Sequence, residues 1–351
     1  MGHGRRWAPG LAGGAAIAAA LTASAHAGTT ERELTFEGAG GFGLRGTLLL
    51  PEGASVDDPA PAMLLVAGSG PTDRDGNQPP MIMTNMLRQI AEGLGEAGVA
   101  TLRFDKRAVQ IYAVSWPPMD EIAPFFSYEN FVGDVGAAFD AMRSAPEVDP
   151  GRAGILGHSQ GGLYALEVAS RRAGGDDRPA ALVLASTAGR SLDVVILEQV
   201  RAQFERAGMA PELREDWLGT LAESLEKTRR QAPLELEKIP APLRGLFNPS
   251  VMELLPSLLA TDPARLAADV RGPVLVIQGD MDAQISVERD LPALADALEA
   301  RDAGETERVV VENGSHSLKA SAGEGDPGFA GPMLDDARDA IVRWVVTHLA
   351  E

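Results

Sequence analysis

Ala153-Gly154-Ile155-Leu156-Gly157-His158-Ser159-Gln160-Gly161-Gly162 is the stretch on which the fold turns. Its first four residues read as a short buried strand, and residues 161–173 read as a helix. Between them lies G-x-S-x-G, Gly157 to Gly161. A strand, a sharp turn carrying a serine and a helix make a nucleophile elbow. The serine takes a strained backbone conformation. Small residues two before and two after it avoid clashes within the turn, and the helix aims free N–H groups toward the hydroxyl. The five-residue pattern alone arises by chance in some chains of this length; the strand before it, the helix after it and the extra Gly162 make it specific.

Working outward, residues 32–51 form a hairpin, with strands at 33–36 and 44–50 around the glycine-rich turn 38–43. Short apolar strands at 62–67, 99–104, 153–156, 180–185, 273–278 and 308–311 alternate with helices at 85–98, 127–144, 161–173 and 332–349. Apolar runs of this kind suit strands covered on both faces. The alternation predicts the α/β class: a mostly parallel, doubly wound sheet with an N-terminal antiparallel hairpin. Residues 192–270 break the rhythm. They are rich in Leu, Glu and Arg at helical spacing and punctuated by seven prolines from Pro211 to Pro263. A helical insertion is expected there, with the core in residues 28–191 and 271–351.

The chain has 351 residues, 31 Lys+Arg against 50 Asp+Glu, a net charge of −19 and no cysteine. That balance argues against nucleic acid and against an anionic membrane surface as partners, because both attract cationic patches. Absence of cysteine excludes disulfides, thiolate metal sites and a cysteine nucleophile. Residues 1–27 read as a signal peptide: Arg5-Arg6, an apolar run at 11–23, and the small-x-small site Ala25-His26-Ala27. The run is too short for a membrane span, which needs ~20 residues. Cleavage after Ala27 would leave a periplasmic or secreted product without a stable span. Both the Sec and the twin-arginine route stay open, although Trp7-Ala8 lacks the usual twin-arginine continuation.

Five histidines occur. His3 and His26 belong to the leader. His158 lies inside the elbow, its side chain expected to point away from Ser159, and His348 sits in the last helical turn. His316 remains, in the loop Asn313-Gly314-Ser315-His316-Ser317 after the last strand, at the carboxyl end of the sheet where catalytic loops gather. A serine nucleophile needs a base, so His316 is assigned to it. The orienting acid should follow an intervening strand. Asp280 and Asp282 compete in Gln278-Gly279-Asp280-Met281-Asp282, each equally able to serve as a turn-former; spacing favours Asp282. An oxyanion site needs two backbone donors. Gln160 follows the serine, and the loop Gly68-Ser69-Gly70-Pro71-Thr72-Asp73-Arg74-Asp75-Gly76 supplies Ser69, or Gly70 one residue on. No phosphate-binding spacing is present in that loop.

GSGPTDRDG at 68–76, Arg103-Phe104-Asp105-Lys106-Arg107, GHSQGG at 157–162, residues 278–285 and Asn313-Gly314-Ser315-His316 occur in that order. Together they resemble the α/β-hydrolase superfamily, in particular its bacterial esterases of the serine-aminopeptidase-like branch. The likeness runs from about residue 32 to 349. It implies Ser159 as nucleophile, Asp282 as acid and His316 as base, with no cofactor or metal, and residues 192–270 as a cap over the site. It also implies that Asp73, Arg74 and Asp75, with Asp105, Lys106 and Arg107, brace the oxyanion loop. One departure is that Ala108-Val109-Gln110-Ile111-Tyr112 follows the Asp-Lys-Arg segment where related sequences usually have Gly, so the local turn and one wall of the substrate site are expected to differ from theirs.

The expected activity is hydrolysis of a small-molecule ester of short or medium acyl length. An aminopeptidase or amidase is the alternative within the same chemistry, and a noncatalytic binding protein on the same scaffold a further one. Leu236, Leu243, Leu246, Phe247, Val251, Leu254, Leu255 and Leu258 are either the acyl pocket or, the commoner use of such a series, the insertion's own packing. The sequence does not give the oligomeric state.

Overall fold

The structure is a computed structural model that describes residues 28–323 and 326–350, so the leader-like segment 1–27 lies outside the described residues. Eight strands form one sheet in the order β1-β2-β4-β3-β5-β6-β7-β8. They are β1 (Thr29–Glu37), β2 (Gly43–Pro51), β3 (Ala60–Val66), β4 (Ala100–Phe104), β5 (Val148–His158), β6 (Leu182–Ala185), β7 (Val274–Gly279) and β8 (Thr306–Val311). The β1–β2 hairpin joins the sheet antiparallel through β2 and β4, and every later pair is parallel. The helices are α1 (Met86–Glu96), α2 (Ile122–Phe125), α3 (Tyr128–Arg143), α4 (Gln160–Arg171), α5 (Leu192–Arg206), α6 (Pro211–Arg229), α7 (Leu254–Ala260), α8 (Pro263–Asp269), α9 (Asp290–Glu299) and α10 (Asp335–Val345).

Side chains on a strand alternate between faces, so a run apolar at every position can serve two cores at once. In β3, Ala62, Leu64 and Val66 pack with α3 and α4. Met63 and Leu65, with Ala67 just beyond the strand, pack with α1 and α10 on the other face. β6 and β7 divide likewise, Leu184 and Val276 to one side, Val183 and Leu275 to the other. This is why the central strands carry no polar alternation. β5 starts earlier than the sequence suggests, because Ala60 pairs with Val148 across a register shift that Pro150 and Gly151 conceal in the pattern. α9 is an element that the strand-and-helix reading passes over.

Residues 192–260 are helical and irregular, and hold a third apolar cluster that includes Phe204, Leu221, Leu225, Leu243 and Phe247. Leu258 at the end of α7, Leu266 and Ala267 of α8, and Val270 pack with the sheet layer instead. Polar ties bind α5 to the loops that follow β6 and β7. Glu198 receives Arg190 in a bidentate pair at 2.7 and 2.8 Å and Arg289 at 2.7 Å, and Gln199 Nε2 donates to the Gln284 carbonyl at 2.9 Å.

The segment after β4 is anchored by one buried cation. Arg107 donates to both oxygens of Asp134 on α3 at 2.6 and 2.7 Å, to the Phe125 carbonyl and to the Ala39 carbonyl. Both side chains are almost fully buried. Removing one partner of such a pair strands the other charge in a low-dielectric interior, which costs about 3–5 kcal/mol. Asp134→Ala is therefore expected to lower stability by about that amount, read as the shift in urea unfolding midpoint. A loss under about 1 kcal/mol would mean that Arg107 finds water or another acceptor.

Candidate active site

The elbow comes first. β5 ends at His158, Ser159 sits at φ 54° and ψ −123°, and α4 begins at Gln160. A non-glycine residue in that region is strained and persists only where its surroundings hold it. Ser159 N–H donates to the Ala185 carbonyl at 2.8 Å, and Gly162 N–H donates back to the Ser159 carbonyl at 2.9 Å. A Cβ at Gly157 would lie 2.4 Å from the Gly161 carbonyl oxygen, and one at Gly161 would lie 2.4 Å from that of Val66. The obstacles are backbone, so only hydrogen fits at either position.

The structure brings Asp282 and His316 together. His316 Nδ1 and Asp282 Oδ2 are 2.9 Å apart, and both side chains are buried. Oδ1 of the same carboxylate accepts the N–H groups of Gln284 at 2.8 Å and Ile285 at 3.0 Å. Asp282 is therefore both the turn-former and the partner of the imidazole, and its competitor Asp280 makes no side-chain hydrogen bond among the described residues. With Nδ1–H donating to the carboxylate, the Nε2 lone pair of His316 is left free. His348 lies apart, bonded to the Trp344 carbonyl.

His158 departs from expectation. Its ring does not simply turn away from the site but crosses to the loop of His316, where Nε2–H donates to the His316 carbonyl at 2.9 Å and the two rings lie 4.8 Å apart. The residue beside Ser159 thus holds the backbone of His316 next to the elbow. Ser159 Oγ itself makes no hydrogen bond among the described residues; such contacts commonly tighten only when substrate is bound. Burial, aided by the nearby His316, lowers the pKa of His158 to about 3, so the ring stays neutral and keeps one N–H to donate.

The loop after β3 borders the elbow. A Cβ at Gly68 would lie 3.2 Å from that of Ser159. Thr72 Oγ1 and Gln78 Nε2 fasten the Ser69 carbonyl at 2.6 and 3.0 Å, whereas the N–H groups of Ser69 and Gly70 have no protein acceptor among the described residues. Gln160 N–H opens α4, where first-turn donors lack intrahelical partners. The charged residues around this loop divide the bracing. Asp73 Oδ1 closes its own turn onto the N–H groups of Asp75 and Asn77. Arg74 binds Asp105 through backbone and guanidinium at 2.5–2.9 Å, Asp75 pairs with the buried Arg103, and the Lys106 ammonium donates to the Gly68 carbonyl.

Above the elbow opens a cavity of about 790 Å³, bordered by Ser69, Gly70, Ser159 and Gln160. Its walls are mostly apolar. Leu246, Val251, Leu254, Leu255 and Leu258 line it, whereas Leu243 and Phe247 pack inside residues 192–260 and Leu236 is exposed. The leucine series therefore serves both uses. A second wall comes from Trp116, Met119, Ile122 and Phe126, just beyond residues 108–112. Sequence reasoning missed these four; the aromatic cluster around Phe125 and Phe126 was the available signal. The charged side chains at the cavity are Lys106 and Arg190, and Arg190 is saturated by Glu198 and the buried Asp290. Among the described residues no carboxylate lines it. Glu223 is paired with Lys227, and Glu226 with Arg229 and Arg230.

Residues 92–322 match the sequence profile of the alpha/beta hydrolase family. Esterase EstD of Thermotoga maritima is 26% identical over 309 residues, 87% of this chain and 66% of that protein, so the match spans just under two thirds of the relative's length. Among solved structures, Est1E from Butyrivibrio proteoclasticus covers 93% of this chain and 100% of its own at 16% identity, with a TM-score of 0.54. A Pyrococcus furiosus esterase covers 91% of each at 13% identity and the same score. At these identities the structural likeness speaks to fold.

His158 also makes a prediction about acid. Its imidazole titrates near 6.5 when unfolded and near 3 when folded. Between those values the unfolded chain binds the extra proton, so the ring's contribution is intact above pH 6.5 and is lost as pH falls toward 3. His158→Gln should lose less stability between pH 7 and pH 4.5 than wild type, compared by urea midpoints. Equal losses would show that another group carries the acid sensitivity.

Proposed function

Because the chain belongs to the alpha/beta hydrolase family, we propose that it is a serine hydrolase of carboxylic esters with short or medium acyl chains. The observation that carries this reading is the 2.9 Å contact between Asp282 and His316, set beside a serine on a strained elbow at the base of an apolar cavity. In this reading the Nε2 of His316 takes the Ser159 proton as Oγ attacks the ester carbonyl. Asp282 holds the imidazole in the required tautomer and stabilises the imidazolium. The N–H groups of Ser69 and Gln160 receive the oxyanion. Collapse of that intermediate expels the alcohol, which takes its proton from His316. Water, deprotonated by the same imidazole, then attacks the acyl-enzyme and releases the acid. Within the cap expected at residues 192–270, residues 192–260 act as the cover, since Leu266, Ala267 and Val270 pack with the sheet layer, and the leader-like residues 1–27 support export to the periplasm or medium.

The wall chemistry favours esters over aminoacyl substrates. A free α-amino group is cationic at neutral pH and would enter an apolar cavity without a carboxylate to pair it, a desolvation cost that a neutral ester avoids. The relatedness to esterase EstD points the same way.

The test is a panel of aryl esters of rising acyl length beside aminoacyl anilides. Esters should turn over at least about 100-fold faster than anilides, a gap of about 2.7 kcal/mol. Ser159→Ala should lose at least about 10⁴-fold in kcat with an unchanged fold. Retained turnover in that variant, or preference for the anilides, would overturn the reading.

A further inference from the structure

Of the two charged groups at the cavity, both unused by the reaction scheme, Arg190 is paired with carboxylates and Lys106 is not. Its side chain is 3% exposed, and among the described residues it has no carboxylate partner. Its flanking residues have theirs, Asp105 in Arg74 and Arg107 in Asp134. A buried ammonium without a counter-ion is costly, so the hydrogen bond it makes matters: Nζ donates to the carbonyl of Gly68. That oxygen belongs to the same amide as the N–H of Ser69. In a planar peptide the C=O and N–H are antiparallel and electronically joined, so a cation on the oxygen fixes the direction of the N–H and makes it a stronger donor. The other neighbours of this amide stand close on either side. Gly68 is pressed against Ser159 and against His158, whose Nδ1 would lie 3.2 Å from a Cβ placed there, and the Ser69 carbonyl is tied to Thr72 and Gln78.

We propose that Lys106 is a positioning residue for the oxyanion site: its ammonium, acting through the Gly68–Ser69 peptide, aims and polarises the Ser69 N–H toward the developing negative charge. The proposal rests on the ester-hydrolase reading above. In this role Lys106 acts through the peptide and not on the reacting atoms. Its charge reaches the transition state through one amide, in a site where the surrounding dielectric is low and preorganised dipoles count for more than they do in water. Burial lowers the Lys106 pKa to about 7, so the ammonium form that the proposal uses is the major one below that pH and gives way to the neutral amine above it; the neighbouring His158 is neutral and adds no second cation on the elbow side.

The test compares Lys106→Met, which removes both charge and donor, with Lys106→Gln, which keeps a neutral donor. Each is measured beside wild type and Ser159→Ala on the best aryl ester and with an alkyl trifluoromethyl ketone, which adds to the serine as a tetrahedral oxyanion. Lys106→Met should lose about 10- to 100-fold in kcat, less than the ~10²–10³ of deleting a donor outright, with KM within threefold. Ketone affinity should fall by the same factor as kcat/KM. Lys106→Gln should recover part of the loss, and it keeps the test informative should Lys106→Met fail to fold. A folded variant of either kind that keeps kcat within twofold, loses activity through KM alone, or binds the ketone as tightly as wild type would overturn the proposal. Absence of ester turnover and ketone binding in wild type would overturn the ester-hydrolase reading and this proposal together. Normal wild-type behaviour with indifferent Lys106 variants would overturn this proposal alone.

Discussion

The site depends on how closely two stretches of backbone pass. The first turn of α4 is pushed against the end of β3 until a Cβ at Gly161 would collide with the Val66 carbonyl, and Gly157 sits as tightly under Gly161. That approach forces Ser159 into its positive-φ conformation and lifts the side chain clear of the sheet. It also brings the loop after β3 beside the serine, since Gly68 follows Val66 by two residues. Were the helix a little farther from the strand, the hydroxyl and the N–H groups of that loop would no longer share one corner of the cavity.

Around that contact the protein uses charge in two ways. Arg103, Arg107 and Asp134 are buried and paired, and act as fixed struts between the sheet, α3 and the loops. Arg74 and Asp105 hold the turn beyond the loop that follows β3. Such pairs specify geometry more than they add stability, since their desolvation offsets much of their attraction. Lys106 stands outside this pattern, because it meets a carbonyl and no carboxylate. The abundance of surface acid in this chain has no counterpart at the cavity, where carboxylates are missing among the described lining residues and the walls are hydrocarbon.

Much of this could be read from the chain before any coordinates. Strands β3, β6 and β7 announce themselves because both faces are covered, so every position is apolar. The G-x-S-x-G turn carries its own steric logic, and counting histidines leaves His316. The parts that stayed hidden have physical causes too. Asp280 and Asp282 are chemically alike and two residues apart, and only the path of the turn, closed by Asp282 itself onto Gln284 and Ile285, decides which one meets the imidazole. Trp116 and Phe126 lie in irregular backbone, where no periodicity shows which way a side chain faces. The dual use of the leucines in residues 192–260 follows from helices that have an inner and an outer side, both apolar. The role of His158 was hidden because its partner is a main-chain carbonyl 158 positions away.

That last bond has a mechanical consequence. The loop carrying His316 follows β8, an edge strand with an exposed outer face, and on its own it would drift with the rim of the sheet. Bridged to the residue preceding Ser159, it is referenced to the centre of the molecule. The two loops then share one direct tether, so the imidazole and the hydroxyl are placed against a common reference.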